Sequence, residues 1–183
     1  NSYFTDYVRT DITTYDPVEL AAALEGKDIL LIPEQEDCNE AAMTAFAPIL
    51  QNFAQNGGTI ILIGTNKAGN TGSCVFNTGL LEGSYVEFVQ GELDIIAPTD
   101  PLLEGVVAPY LAQVVTYTYD ITNLDFVSVI EHQGDNVVGY RQLGAGKVIL
   151  IGHDYTNSNA NNKRVVSNAV ATSSQINDLQ WLF

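Results

Sequence analysis

Apolar residues in this chain come in short unbroken runs, separated by a stretch where they recur every three or four positions. "DILLIP" (Asp28–Pro33) and "TIILIG" (Thr59–Gly64) are almost wholly apolar. Strands buried on both faces read this way, which predicts a parallel sheet covered by helices. Between the two runs, Met43, Phe46, Ala47, Leu50 and Phe53 form one apolar stripe at helical spacing. Asp37 and Glu40 make a D-x-x-E start signal for that helix, and "NGG" (Asn56–Gly58) makes a left-handed stop. Strand, helix, strand with tight turns predicts a right-handed βαβ unit. Ahead of it, "DPVELAAALEGKD" predicts a short helix with Asp16 as N-cap, Pro17 in the first turn and Gly26 as stop.

The later half is patterned differently. "VFNTGLLEGS" reads as a short helix, and "YVEFVQGELDIIAP" alternates as a half-exposed strand does. "TDPLLEGV" reads as a turn with a short helical piece. "AQVVTYTYDI" and "FVSVIEHQGDNVVGYRQLGAGKVILIG" are strand-rich, with a hairpin at "QGDN" and a turn at "GAG". Lys147–Gly152 is a third buried strand, and "SNANNKRVVSNAVA" closes the chain with Val165, Val166 and Ala169 facing inward. The expectation is a three-layer α/β domain with a mostly parallel sheet and an added antiparallel portion, spanning residues 1–183 as one unit. "NSYFTDYVRTDITTYD" supplies at best a short strand, so the first strand is expected to be missing or supplied by a preceding segment.

Charge narrows the partners. Lys+Arg total 7 against Asp+Glu 22, a formal net charge of -15. Such a surface repels phosphate backbones and anionic lipid, so nucleic acid is excluded as the expected partner. No apolar run approaches the ~20 residues of a membrane helix. No N-x-Ser/Thr sequon occurs, which fits a bacterial origin better than a eukaryotic secretory one.

The frame "DILLIPEQE…GGTIILIG…TDPLLEGV…GAGKVILIGHDY" resembles the class I glutamine amidotransferase-like superfamily, most closely its divergent, often secreted ThuA-like branches. The resemblance covers about Pro17 to Ala171 and implies a flavodoxin-like fold. It also implies a nucleophile elbow of the form G-x-C-x-G after the second strand and a histidine after the late "G-x-G-K-V" strand. This chain has Gly64, Thr65, Asn66, Lys67 and Ala68 at the elbow, so Asn66 stands where the family has its cysteine. An amide is no nucleophile. His153 takes the histidine's place, followed by Asp154 instead of Pro-Glu. The resemblance thus supports the fold and argues against glutaminase chemistry.

In open α/β sheets ligands bind at the carboxyl ends of the strands. The three loops there gather Glu34, Glu36, Asn66, Lys67, His153, Asp154 and Tyr155 as a ligand rim. His153 reads first as a structural histidine bonded to loop backbone; as a general base it would take Asp154 or Glu34 as partner. Glu34, Glu36, Asp37 and Asp154 are hard oxygen ligands that could hold Ca²⁺, though a merely solvated acidic rim is the preferred reading. No other cofactor is expected. Tyr117, Tyr119, Tyr140, Tyr155 and Trp181 could make an aromatic platform for a sugar or a partner, with half-buried strand aromatics as the preferred alternative. Cys38 and Cys74 follow neighbouring parallel strands, which favours a disulfide and an oxidising compartment over two free thiols or a Cys74 nucleophile. Together these features predict a non-catalytic module of an extracellular or cell-surface protein, acting in protein contact, self-association or ligand binding. The second reading is a hydrolase or carbohydrate-active enzyme using His153 with Glu34 or Asp154, and the third is a calcium-dependent adhesion domain.

Overall fold

The computed structural model describes residues 11–34, 38–64, 73–112, 115–153 and 159–174. Helix α1 (Pro17–Leu24) starts as predicted: Asp16 accepts from the Val18 N–H at 2.7 Å and Pro17 sits in the first turn. β1 (Ile29–Ile32) leads into α2 (Glu40–Gln55). The N-cap of α2 is Asn39, not Asp37: the Asn39 side chain accepts from the Ala42 N–H at 3.1 Å. Asparagine caps as well as aspartate and stands nearer the first apolar residues of the stripe. The Asp37 side of that expectation lies outside the described residues.

α2 ends in a paired turn. The Gly58 N–H donates to the Phe53 carbonyl and the Gly57 N–H to the Ala54 carbonyl, each at 3.0 Å. Gly57, at φ 107°, holds the left-handed position that this closure requires. β2 (Thr59–Ile63) follows directly.

The chain continues through α3 (Ser73–Asn77), β3 (Gly83–Phe88), β4 (Gly91–Ile95), a 3₁₀ turn at Pro101–Leu103, β5 (Tyr110–Ala112) and β6 (Tyr117–Ile121). It ends with β7 (Val127–His132), β8 (Asp135–Leu143), β9 (Gly146–Ile151) and α4 (Ala160–Ser174). Two expectations are corrected. The helix read over "VFNTGLLEGS" starts earlier and closes at Asn77, because Gly79 and Gly83 adopt positive φ. "YVEFVQGELDIIAP" is two strands, β3 and β4, broken before Gly91 at φ 101° and paired to different neighbours. The hairpin at "QGDN" is confirmed: Gln133 and Gly134 both have positive φ, the geometry that tight two-residue turns need.

The strands form one sheet in the order β1-β2-β9-β8-β7-β4-β5, with β6 pairing β8 and β3 pairing β6. Pairing is parallel among β1, β2 and β9 and antiparallel elsewhere. Alternation along the central strands sorts the core into two faces. Ile60, Leu62, Val148 and Leu150 pack against α1, α2 and α3, whereas Ile61, Ile63, Ile149 and Ile151 pack against α4 and the 3₁₀ turn. Val165 and Ala169 are buried there and Val166 packs beside them, as their spacing predicts. This is a three-layer, flavodoxin-like α/β fold with an added antiparallel portion.

The turn between β8 and β9 locks onto the end of α2. The Ala145 N–H donates to the Gln55 carbonyl at 3.1 Å and the Lys147 N–H to the Gly58 carbonyl at 3.2 Å. A Cβ on Gly146 would run into the Gly58 and Ala54 carbonyl oxygens. Gly146→Ala should therefore cost ~1–3 kcal/mol or more, as overpacking against backbone that cannot yield. A lower urea midpoint at unchanged slope would show it, and an unchanged midpoint would refute it.

Candidate functional site

The carboxyl ends of β1, β2 and β9 come together at one rim. The Gly64 N–H donates to the Ile151 carbonyl at 2.7 Å. One step further the Tyr117 N–H donates to the Gly152 carbonyl at 2.8 Å, and Thr116 bridges His153 in antiparallel fashion. β6 thus starts on the end of β9. Period-two alternation sends Tyr117 and Tyr119 to one face, as "TYTY" predicts. Both are buried in the α2-side core, at 6% and 0% exposure, so they are core residues and not an open platform. Tyr140 lies in the α4-side core and donates to Asp100 at 3.0 Å; Tyr155 and Trp181 lie outside the described residues.

Tyr119 fills the space beside the elbow position. A Cβ on Gly64 would lie 2.5 Å from the Tyr119 hydroxyl and 2.9 Å from the Gly152 Cα. Glycine is therefore required at 64 by close packing. Tyr117 reaches the rim from below, donating to a Glu34 carboxylate oxygen at 3.2 Å.

His153 is 2% exposed. Its Nε2 lies 2.8 Å from the Tyr110 hydroxyl and its Nδ1 3.0 Å from the Thr116 hydroxyl. The Tyr110 ring also stacks on the imidazole, centroids 5.4 Å apart. In either neutral tautomer one ring nitrogen accepts and the other donates, so the ring is satisfied without charge. Burial lowers the His153 pKa from 6.5 to about 3 and pushes the Tyr110 phenol up. The expected partner was loop backbone; the partners are two buried side chains. Neither Tyr110 nor Thr116 was singled out from the sequence. Thr116 sits one alternation step before Thr118 on the strand carrying "TYTY", a weak signal, and Tyr110 on the three-residue β5 has none.

Cys38 and Cys74 form the expected disulfide, with Cα atoms 5.8 Å apart. Cys74 lies in the first turn of α3 instead of an open loop, 4% exposed, so the bond ties the segment after β1 to the helix after β2. Among the described residues no group of three or more His, Cys, Asp or Glu is placed to hold a metal ion. Of the calcium candidates only Glu34 is described; Glu36, Asp37 and Asp154 lie outside the described residues, as do Asn66 and Lys67. Asn162, in the first turn of α4, is buried with neither amide atom hydrogen-bonded. No described helix is long and apolar enough to cross a membrane.

No protein-family model matches the chain, and no curated protein matches it. Solved structures are similar in fold. A cytoplasmic protein of Salmonella typhimurium is 12% identical, covers 88% of this chain and 76% of its own, and superposes with a TM-score of 0.64. A protein of Bacteroides uniformis described as ThuA-like is 13% identical over 87% of this chain and 75% of its own, TM-score 0.56. A β-galactosidase of Bacillus circulans sp. alkalophilus is 11% identical over 84% of this chain and only 24% of its own, TM-score 0.53. At these identities the likeness is one of fold alone: a flavodoxin-like α/β domain, shared with a protein described as ThuA-like.

Two predictions follow from the buried groups. The unfolded chain binds a proton at His153 near pH 6.5, the folded chain only near about 3. Stability from this residue is therefore full above pH 6.5 and falls as pH drops toward about 3. His153→Gln should flatten that acid limb in urea midpoints taken against pH, and the wild-type His153 ring resonances should stay at their neutral positions down to about pH 4. Replacing both Cys38 and Cys74 with serine should cost ~3–4 kcal/mol by loop-closure entropy, read as a lower Tm that reducing agent no longer changes.

Proposed function

We propose that this chain is a non-catalytic, amidotransferase-like module of a secreted or cell-surface protein, acting in protein contact, assembly or ligand binding. The observation that carries this reading is His153. It is the histidine at the strand-end rim, and both ring nitrogens are held by buried hydroxyls. A general base needs a free nitrogen within reach of its proton and a pKa near working pH. Asn66 at the elbow position supports the same conclusion from the sequence. The disulfide supports an oxidising compartment. The match to about a quarter of a β-galactosidase supports the use of this fold as one part of a larger protein.

A hydrolase reading would have to work with Glu34 and without His153, and calcium-dependent adhesion would have to draw its ligands from beyond the described residues. The test is a turnover screen with chromogenic glycosides, esters and amides on wild type, Glu34→Gln and His153→Ala. No turnover above background in any of them is expected. Turnover in the wild type that vanishes in Glu34→Gln would overturn the non-catalytic reading.

A further inference from the structure

Among the described residues, β3 is a sheet edge that no other strand covers. Within them it pairs only with β6, and every residue along it except Tyr85 is exposed. The other edges are shorter: β1 has four residues, of which only Leu31 is exposed, and β5 has three, of which only Leu111 is exposed. Val86 is 40% and Phe88 43% exposed, two large apolar side chains on one six-residue strand. The Phe88 ring is held edge-on against Tyr117, centroids 6.3 Å apart.

Carboxylates line the same region. Glu87 hydrogen-bonds through its backbone to Thr118, Asp120 stands opposite Ser84, and Tyr119 pairs Asn136, which sets Asp120 beside Asp135. Glu131 pairs Asn136 and His132 pairs Asp135 from the other side. On the face of Asp120 the carboxylates therefore run from β3 across β6 to β8, with His132 of β7 beside Asp135. Partial burial and then Asp120, Glu87 and Glu131 push the Asp135 carboxyl up, with His132 opposing them. None of these four acids has a lysine or arginine ion-pair partner among the described residues; Arg141 is held by Asp125 and Lys147 lies over Tyr140.

We propose that the outer edge of β3 is a docking site for an extended, lysine- or arginine-bearing segment of a partner protein, which adds as a strand and sets its cations toward Glu87 and Asp120, with Asp135 two strands in adding to the field. An exposed edge supplies main-chain donors and acceptors for strand addition. Val86 and Phe88 supply apolar contact for alternate residues of the incoming strand. A basic segment relieves the carboxylate repulsion, whereas a second copy of this chain brings the same acids to the junction. The β-bulge between Tyr85 and Phe88 and the charge of Glu87 are devices that discourage indiscriminate pairing, which favours a complementary partner over self-association. The proposal rests on the protein-contact part of the function proposed above.

The probe is a fluorescein-labelled peptide of about ten residues alternating lysine and valine, a length that one strand can use. Its controls are the same peptide with alternate valines replaced by proline, and one alternating glutamate and valine. Anisotropy at low salt should show binding of the lysine–valine peptide alone. Amide shifts in the ¹⁵N spectrum should concentrate at residues 83–88. The triple variant Glu87→Gln, Asp120→Asn, Asp135→Asn should bind roughly tenfold more weakly or worse. Phe88→Ser, with the acids intact, should also weaken binding. Equal binding of the proline peptide, unchanged binding by the triple variant, shifts located elsewhere, or dimerisation through β3 would each overturn the proposal. Glu34-dependent turnover would remove the non-catalytic reading and leave the β3 result standing. Absent peptide binding with no turnover would remove only the docking site.

Discussion

The registration of the sheet depends on a backbone-to-backbone lock between two glycine turns. α2 must stop abruptly so that β2 can start, and Gly57 and Gly58 allow that. The turn at Gly144–Gly146 then approaches so closely that its N–H groups reach the Gln55 and Gly58 carbonyls. The Gln55 carbonyl is one of those that a helix end leaves without an intrahelical partner. The lock aligns Thr59 with Lys147, and from there every pair up to Ile63 with Ile151 follows in parallel. A slip of one residue would swap the α2 face with the α4 face along a whole strand. Gly64 and Gly152 emerge at the same level of the rim, with His153 one residue beyond, because of contacts made at the opposite end of the sheet.

At that level the described polar groups, His153 and Glu34, are hydrogen-bonded to side chains of the fold. A histidine at the end of a buried strand can be kept charged by a carboxylate or neutral by hydroxyls. Here hydroxyls surround it, and the low interior dielectric decides the outcome. No described carboxylate faces the ring to favour its protonation. The same economy applies to Glu34, whose described hydrogen bond comes from a core tyrosine. A site tuned for acid–base work separates the pKa values of two facing groups around neutral pH. His153 and Tyr110 are instead both pushed toward their uncharged forms.

Much of the frame was legible because it depends on patterns of short range. Apolar runs identify β1, β2 and β9, the stripe from Met43 to Phe53 identifies α2, and the glycines mark the locked turns. The disulfide was legible because neighbouring parallel strands bring Cys38 and Cys74 to one rim. What escaped was set by long-range pairing. Nothing local in Tyr110 announces a partner at His153, 43 residues away. Nor does "YVEFVQGELDIIAP" show that its halves pair with different strands, since alternation specifies a face and not a neighbour. The N-cap of α2 was misread because Asp37 and Asn39 offer the same chemistry two positions apart.

These points bear on where a partner can act. In a doubly wound sheet the strand ends make a crevice where neighbouring connections diverge to opposite faces. Here the opening between Gly64 and Gly152 is taken by the Tyr119 hydroxyl, and the space beside His153 by Tyr110 and Thr116. β6 is the element responsible: it leaves the end of β9 and carries its tyrosines back into the α2 layer. The same strand, on its other flank, supports β3. β6 thus fills the described part of the crevice with its tyrosines and supports an edge on the antiparallel flank. Among the described residues of that flank, Glu87, Asp120 and Asp135 have no lysine or arginine ion-pair partner, in a chain whose acids outnumber its lysines and arginines 22 to 7.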